Sequence, residues 1–277
     1  MSPETPSSED RSAAADTASP FPAIRTVSPW APFTWLARGA HDLRRAPAAS
    51  LAYGLAFALM GGLIVVVFRN AYELTSALVA GFLLVGPFLA TGLYDISRRL
   101  ERGSTVRLRE TTTAWRANLG AFSLFALALT IIALVWARAS LVTFALFFSG
   151  GMPTLKSFLA QIVSVENIDF LLTYFAVGAL FAGIVFAVSV VSVPMMLDRG
   201  TDTIVAALTS VRALFANPLP LLIWALLIVV IIAAGFATFF VGLVVAVPVI
   251  GHATWHAYRD LVVDGRDPSD RTCIDNG

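Results

Sequence analysis

Charged residues are scarce in this sequence of 277 residues, of which 13% are charged and 57% are hydrophobic. Soluble domains carry about 25% charged residues and about 45–50% apolar residues, because their surface requires the charge. The scarcity therefore excludes an ordinary soluble globular protein and predicts an integral membrane protein. The formal net charge is only +1, so nothing suggests the basic surface expected of a protein that binds nucleic acid.

Cysteine and the motifs of common enzymes are also scarce. Cys273 is the one cysteine, so no disulfide can form within the chain. The sequence contains no phosphate-binding loop, no CxxC motif and no HExxH motif. No predicted span has an acidic residue at mid-depth, where most ion-coupled carriers use one. We therefore predict a protein that is not an enzyme and that holds no cofactor.

The two ends of the chain differ from its middle in composition. Residues 1–24 are rich in Ser, Ala, Pro, Asp and Glu and contain no aliphatic run, so a cleaved signal peptide is not expected. Such a segment buries too little apolar surface to offset its chain entropy. We predict a disordered N-terminal tail over residues 1–29, a membrane domain over residues 30–263 and a C-terminal tail over residues 264–277.

Six apolar stretches account for the membrane domain, since a helix needs about 20 apolar residues to cross a bilayer. The last two stretches come from dividing one long uncharged region, since no Asp, Glu, Lys or Arg occurs between Ala213 and Tyr258. A single helix over residues 219–258 would be roughly 60 Å long, about twice the thickness of the hydrocarbon core. A turn near Gly235–Gly242 removes this conflict. The predicted spans are residues 48–68, 74–96, 119–137, 171–197, 218–237 and 240–259.

Basic residues fall almost entirely on one side of this arrangement. Six spans place sixteen of the 19 basic residues on the side of both termini. The other side holds Arg69, Arg138 and Lys156. The positive-inside rule then places both termini in the cytoplasm. The alternative is five spans, with the last apolar region uncrossed and the C-terminus outside.

An internal repeat supports a division into three hairpins. The spacing of a glycine, a proline and an arginine recurs at Gly81, Pro87 and Arg98 and again at Gly242, Pro248 and Arg259. The helix before each of these begins in a similar way, at Arg45-Ala46-Pro47 and at Ala216-Asn217-Pro218. We predict an all-α membrane protein of six transmembrane helices, in three sequential hairpins that run in parallel.

Short amphipathic segments precede the hairpins. The clearest is Thr201–Phe215, and Thr34–Arg45 and Ser104–Asn118 are similar. Their apolar positions recur at helical spacing, at Ile204, Leu208, Val211 and Phe215 in the first and at Leu36, Ala40 and Leu43 in the second. A further segment of this kind is predicted around Leu155–Ile162. These patterns are typical of helices that lie at the membrane interface and either anchor the fold or contact lipid or a partner.

Few polar side chains lie at membrane depth, where each one is a candidate for function. These positions are Asp95, Arg98, Arg138, Arg259 and the pair His252 and His256. The two histidines are four residues apart and share a helix face, but zinc requires at least three protein ligands. A metal site would need His41 or Asp95 to join them, so no metal is predicted. Arg138 would either be buried as a ligand contact or reach the outer headgroups.

Several motifs resemble a known bacterial family. They are the stretch containing Gly81, Pro87, Tyr94 and Arg98, the helix start Ala216-Asn217-Pro218, and the ending Pro248-x-x-Gly251-His252-Ala253-x-Trp255-His256-Ala257-Tyr258-Arg259-Asp260-Leu261. Together they resemble predicted integral membrane proteins grouped as domain of unknown function 2189, over about residues 35–263. The resemblance implies a six-helix protein of the bacterial inner membrane and implies no activity, substrate or catalytic residue.

The favoured hypothesis is a non-enzymatic accessory, scaffold or assembly protein. Its expected partners are the lipid bilayer and either other membrane proteins or further copies of itself, and not nucleic acid. The alternative is a transporter of small molecules or lipids, which requires a polar cavity between the hairpins near mid-membrane. An enzyme is the third hypothesis and requires the histidine pair to converge with a third ligand.

Overall fold

The chain folds as an all-α protein in a computed structural model that describes residues 21–70, 74–147 and 168–263. In the helix after residue 74, the side chains of residues 75–77, 80, 83 and 84 are not described. No strand occurs within the described ranges, which confirms the all-α part of the predicted fold class. The helices are α1 (Ala31–Arg45), α2 (Pro47–Asn70), α3 (Thr75–Glu101), α4 (Leu108–Thr111), α5 (Leu119–Phe147), α6 (Ile168–Ser189), α7 (Ser192–Arg199), α8 (Thr203–Ala216), α9 (Pro218–Ala237) and α10 (Leu243–Leu261).

Four helical stretches of the described chain are long and apolar enough to cross a membrane. They are Pro47–Asn70, Leu108–Phe147, Ile168–Arg199 and Pro218–Ala237. The predicted span at residues 74–96 lies on α3, part of whose side chains are outside the described set. The predicted span at residues 240–259 lies on α10, whose second half is polar and includes His252 and Arg259. By length and composition the structure thus supports four of the six predicted spans.

Two spanning stretches depart from their predicted ends. Helix α5 continues past residue 137 to Phe147, and Arg138 lies exposed on it. The stretch predicted at residues 171–197 is interrupted at 190–191, between α6 and α7. Pro194 lies four residues after Val190 and has no N–H to donate to it, which favours a break at this point.

Helix α10 is the centre of the fold and contacts α1, α2, α3 and α9. Two glycines allow this close approach. A Cβ built on Gly39 of α1 would lie 2.6 Å from the Val249 carbonyl oxygen, and one on Gly54 of α2 would lie 2.0 Å from the Val244 carbonyl oxygen. Small residues permit such backbone contact between helices in membranes. Any larger residue at Gly39 or Gly54 would push these helices apart.

The described helices pack in the three pairs that the repeat predicts, namely α2 with α3, α5 with α6 and α9 with α10. The outer repeat also recurs in backbone geometry. Ala46, between α1 and α2, has φ −133° and ψ 57°. Asn217, between α8 and α9, has φ −135° and ψ 56°. Each break is followed by the proline that begins the next helix, so both repeats redirect the chain in the same way.

A tight turn joins α9 to α10 over residues 238–242, within the predicted region. The Thr238 hydroxyl donates to the Gly235 carbonyl at 2.8 Å and accepts from the Gly242 N–H at 2.7 Å. Phe239 and Phe240 have φ of 53° and 70°, a conformation that is strained for bulky residues. The Phe240 ring lies where a Cβ on Gly61 would be. The strained turn is therefore held in place by its contact with α2.

The predicted segments Thr34–Arg45 and Thr201–Phe215 form the helices α1 and α8. Helix α1 buries the face of Trp35, Gly39 and Asp42. This face is adjacent to the predicted apolar face, which contains Leu36. Helix α8 turns small and polar residues to the core and leaves Ile204 and Phe215 exposed. An outward apolar face is typical of a helix at the membrane interface. The segment Ser104–Asn118 divides into α4 and the 3-10 helix Ala114–Asn118, and residues 155–162 are outside the described residues.

The segment before α1 pairs with the end of α10. The Arg25 N–H donates to the Leu261 carbonyl at 2.8 Å, and the Val263 N–H donates to the Ala23 carbonyl at 3.0 Å. The Asn217 side chain accepts from the Val27 N–H at 2.8 Å. Residues 21–29, which fall within the predicted N-terminal tail, are therefore hydrogen-bonded to the end of α10 and to Asn217. Residues 1–20 and 264–277 are outside the described residues.

Candidate functional site

Buried polar side chains gather where α1, α2, α3 and α10 meet, at the arginine-rich end of the helices. We call one group the histidine cluster, and its members are Asp42, Ser50, Ser97, His252 and His256. Ser50, Ser97 and His252 have no exposed surface, and Asp42 is almost fully buried. Four helices therefore contribute to a cluster that is largely buried, with His256 15% exposed at its edge.

Hydrogen bonds join the cluster into one chain. The Ser50 hydroxyl lies 2.9 Å from His252 Nε2, and the Ser97 hydroxyl lies 2.8 Å from His252 Nδ1. The Ser97 hydroxyl donates to Asp42 Oδ2 at 2.8 Å. His256 Nε2 lies 2.8 Å from the same carboxylate oxygen. The Asp42 carboxylate thus accepts hydrogen bonds from Ser97 on α3 and from His256 on α10.

The direction of each hydrogen bond around His252 follows from which atoms carry a hydrogen to donate. The Ser97 hydrogen is donated to Asp42, so the Ser97 oxygen must accept from His252 Nδ1–H. In a neutral imidazole, His252 Nε2 is then an acceptor for the Ser50 hydroxyl. The network assigns the tautomer of His252 and leaves none of its ring nitrogens without a partner.

The pair of Ser50 and His252 has the contact of a nucleophile with a general base. A substrate would have to reach the Ser50 hydroxyl, but Ser50 and His252 are completely buried. The same hydrogen bonds also connect α2 to α10 and α10 to α3. The arrangement therefore explains helix positioning better than it explains catalysis.

Asp42 owes its ionised state to the cluster. Burial raises the pKa of this carboxyl group, but hydrogen bonds from His256 and then Ser97 outweigh burial and hold the pKa below its usual 3.8. A depressed pKa in the folded state stabilises the fold at pH values above the ordinary pKa. This stabilisation is lost as the pH falls through the folded-state pKa.

Ion pairs form a second group beside the histidine cluster. Asp95 on α3 has no exposed surface and accepts from Arg98 and from Arg99, whose Nε lies 2.8 Å away. Arg98 Nη1 also donates to the Leu197 carbonyl on α7 at 2.8 Å. A buried carboxylate is retained only when its charge is compensated. Two guanidinium groups supply that compensation here and fix the end of α3 to α7.

Carboxylates at the ends of α3 and α7 hold α10. Glu101 accepts from Trp255 Nε1 at 2.9 Å and from Arg259 Nε at 3.0 Å. Asp198 accepts from the Tyr258 hydroxyl at 3.0 Å and from Arg102 at 3.0 Å. The three hairpins are thus joined at their arginine-rich ends by ionic and hydrogen-bonded contacts.

The predicted site residues separate into two classes. Arg98, Arg259, Asp95 and both histidines belong to the network of the arginine-rich end. His41 lies exposed on α1, and Asp95 is engaged by arginines, so neither joins the histidine pair. Among the described residues, no group of three His, Cys, Asp or Glu side chains is placed to hold a metal ion.

Arg138 lies apart from the arginine-rich end. Its exposed side chain on α5 excludes the burial that a ligand contact within the chain would require. An exposed arginine on a spanning helix reaches towards headgroups by extending its aliphatic stem along the apolar surface. The structure therefore favours an Arg138 that reaches the outer headgroups over one that is buried as a ligand contact.

A central cavity lies between the hairpins, above the ionic network. Its volume is about 310 Å³, and it is bordered by α2, α3, α5, α6, α7, α9 and α10. The lining is predominantly apolar and includes Pro87, Phe125 and Ile228. Of the three residues in the lining that carry a hydroxyl group, Tyr94, Ser189 and Thr254, the last two donate to carbonyls of their own helices. The central cavity is therefore not the polar cavity that the transporter hypothesis requires.

Sequence reasoning missed Asp42, Ser50 and Ser97. Asp42 shares a helix face with Trp35 and Gly39, but the sequence alone does not distinguish that face from the neighbouring one at Leu36. Ser50 and Ser97 gave no signal either, since small hydroxyl residues recur wherever membrane helices pack together. Only the assembled fold brings these side chains to His252.

The comparisons with known proteins agree with this description. Residues 74–198 match the sequence model of a family described as predicted integral membrane protein (DUF2189). The match covers α3 to α7, a shorter region than the predicted residues 35–263, and it does not reach the motif after Pro248. No curated protein and no solved structure matches the chain. Residues 74–198 are therefore similar to the DUF2189 family of predicted integral membrane proteins, and this match confirms the resemblance found in the sequence.

Proposed function

We propose that this integral membrane protein is a non-enzymatic accessory or assembly factor of the bacterial inner membrane. In this role, the arginine-rich end holds the three hairpins together, and the outward faces of the helices contact another membrane protein. The observation that carries the proposal is the pairing of its buried polar groups. In the described chain, Trp224 Nε1 is the one buried side-chain nitrogen or oxygen without a hydrogen-bond partner.

Such complete pairing argues against catalysis at the arginine-rich end. A catalytic group must exchange protons or bonds with a substrate, so it needs access and a free position. Ser50, Ser97, His252 and Asp95 have neither, because they are completely buried and their polar atoms are hydrogen-bonded to neighbouring side chains. These groups are therefore suited to fixing helix positions.

The outer surface provides the contact region for a partner. Only 17% to 22% of each spanning window is buried within the chain. On α9 the exposed large side chains fall on one face at helical spacing, and we call this face the α9 stripe. It consists of Leu219, Leu222, Leu226, Val229 and Val230. We propose that a second, different membrane protein binds the α9 stripe. The competing possibilities are that lipid or a further copy of the chain covers it.

Site-specific photocrosslinking in intact membranes tests this proposal. A photoreactive amino acid at Leu226, which is 57% exposed, should give one discrete adduct with another membrane protein. The same amino acid at Leu222 should give the same adduct. The matched control is Leu221, which is one residue away on the same helix but fully buried. It should give no such adduct.

Lipid, a further copy of the chain and a different membrane protein would each give a different crosslinked product. Adducts with lipid alone at both exposed positions would overturn the proposal, and an adduct of twice the mass of the chain would replace it with a homo-oligomer. Enzymatic activity that disappears in His252→Ala but survives in His41→Ala would also refute it. Both histidine variants must first be shown to fold, by thermal unfolding in detergent.

We also propose six spans with both termini in the cytoplasm. Helices α3 and α10 complete the second and sixth crossings in this proposal, since α3 packs on the spanning helix α2 and α10 packs on the spanning helices α2 and α9. The turn at residues 238–242 supports the sixth crossing, because it returns the chain towards the arginine-rich end. The positive-inside rule sets the orientation.

A further inference from the structure

We infer that a groove beside the arginine-rich end binds one anionic glycerophospholipid, with its phosphate at Arg109 and Arg116 and an acyl chain along the apolar wall. The groove lies between α2, α3 and the start of α5, and we call it the inner groove. Residues that line it include Tyr53, Val85, Phe88, Thr112, Trp115 and Leu119. The inference goes beyond the proposed accessory function and does not depend on it.

The wall of the inner groove is suited to hydrocarbon. Its volume is about 450 Å³ and its lining is predominantly apolar, and ligand pockets in proteins measure about 300–1,000 Å³. The polar side chains of the lining already have partners within the chain. The Tyr53 hydroxyl lies 2.9 Å from the Thr111 hydroxyl, and Trp115 Nε1 donates to the Thr112 carbonyl at 2.9 Å. The wall therefore offers apolar contact surface to an occupant.

Two arginines stand at the polar end of this wall. The Arg116 guanidinium lies over the Trp115 ring, 5.4 Å from its centroid, and Trp115 lines the groove. Arg109 lies one turn before Thr112, whose hydroxyl donates to the Arg109 carbonyl at 3.0 Å. Both arginines are exposed. Guanidinium groups bind phosphate through paired hydrogen bonds, so the two arginines suit the phosphate of a lipid whose chain follows the wall.

The charge of these two arginines is not balanced by the part of the chain that the structure describes, where neither forms an ion pair. Glu110 lies between them in sequence, but it pairs with Arg99 and Arg107. Glu101 and Asp198 are occupied by the contacts that hold α10. The countercharge must therefore come from outside these residues, and anionic lipid attracts basic residues at the membrane surface.

The depth of the inner groove matches that of a phospholipid. Arg138 reaches the outer headgroups, and Leu119, where α5 begins, lies about 30 Å from Arg138 along the helix. Since the hydrocarbon core is also about 30 Å thick, Leu119 lies at its inner boundary and Arg116 lies among the inner headgroups. Val85 lies one turn from Phe88 towards the outer end of α3. The groove therefore continues from the headgroups into the hydrocarbon, which a soluble anion would leave uncovered.

Native mass spectrometry of the full-length protein tests the inference. The protein is stripped of lipid in detergent and offered equal amounts of phosphatidylglycerol and phosphatidylethanolamine with identical acyl chains. We expect it to retain one phosphatidylglycerol in preference, by roughly 5-fold for each of the two arginines, which is the effect of one basic residue near an anionic surface. An excess of glycerophosphoglycerol, the soluble headgroup, should not displace the lipid.

Arginine variants test the role of charge. Arg109→Gln and Arg116→Gln should each lower the preference for phosphatidylglycerol roughly 5-fold, and the double variant should show no preference. The matched control is Arg212→Gln, which removes an exposed arginine on α8, a helix that contributes nothing to the inner groove. It should keep the preference of the wild-type protein.

A variant of the wall tests the place of the acyl chain. Val85 lines the groove and is 41% exposed, so Val85→Trp should fill the groove and abolish retention of both lipids. The matched control is Val142→Trp on α5, at a position that is 60% exposed and lies outside the lining. It should retain phosphatidylglycerol as the wild-type protein does.

Four results would overturn the inference. The first is equal retention of the two lipids by the wild-type protein, and the second is a preference that persists in the double arginine variant. The third is displacement of the lipid by glycerophosphoglycerol. The fourth is equal retention by the wild-type protein and Val85→Trp, with both folded by thermal unfolding. The arginine variants change only exposed side chains, so they decide the question if Val85→Trp does not fold.

Discussion

Replacement of Gly54 by alanine should separate α2 from α10 and destabilise the whole bundle. A Cβ at this position would lie 2.0 Å from the Val244 carbonyl oxygen, whereas ordinary contact begins at 3.4 Å. The two backbones would therefore have to move apart by about 1.4 Å. Because α10 is the helix against which α1, α2, α3 and α9 pack, this displacement cannot be absorbed by one side chain.

The magnitude follows from the cost of overpacking, which is typically about 1–3 kcal/mol. Gly62→Ala is the matched control, since Gly62 lies on the same helix and its Cβ would meet nothing within 4 Å. Alanine in an open helix position is favourable by up to about 1 kcal/mol. The two variants should therefore differ by about 2–4 kcal/mol, or on the order of 10 °C in melting temperature.

Thermal unfolding in detergent, followed by tryptophan fluorescence, measures this difference. Gly54→Ala should melt well below the wild-type protein, and Gly62→Ala should melt at or above it. Equal melting temperatures for the two variants would refute the close contact between α2 and α10.

Three further predictions concern charge and strain. Asp95→Asn should lower the free energy of unfolding by about 2 kcal/mol, because Arg98 and Arg99 lose the charge of a fully buried carboxylate. The control is Glu110→Gln, which removes an exposed ion pair and should cost less than about 1 kcal/mol. Asp42→Asn should be less stable than the wild-type protein at neutral pH. That difference should narrow as the pH falls below 3.8, since the lowered pKa of Asp42 contributes stability only while the carboxylate is ionised; a constant difference in denaturation profiles would contradict this. Phe239→Asn should raise the melting temperature slightly, because Asn adopts the positive φ of 53° at lower cost.

The helices were predictable because their apolar lengths reflect the thickness of the bilayer. The turn between α9 and α10 followed from the same physical limit, since an uncharged stretch ending at Tyr258 could not form one spanning helix. The recurrence of Ala46-Pro47 and Asn217-Pro218 was also visible, and the structure gives both breaks nearly the same backbone angles. Local composition was sufficient for each of these features.

The buried face of α1 and the histidine cluster required the assembled structure. Trp35 and Asp42 are buried because α10 covers them, and no pattern within α1 distinguishes that face from the neighbouring one at Leu36. Ser50 and His252 are about two hundred residues apart in sequence and meet only after α2 packs on α10. Pairings at such separations depend on helix packing, which periodicity within one helix does not determine.

The arrangement of three hairpins with every arginine-rich end on one side of the membrane is tested most directly by cysteine accessibility. In a Cys273→Ser background, single cysteines at His41, Arg102 and Arg199 should be labelled by an impermeant reagent only after the cytoplasmic side is opened. A cysteine at Arg69 or Arg138 should be labelled from outside in intact cells. Labelling of Arg102 and Arg69 from the same side, or a C-terminal reporter active only outside the cytoplasm, would contradict the six-span arrangement.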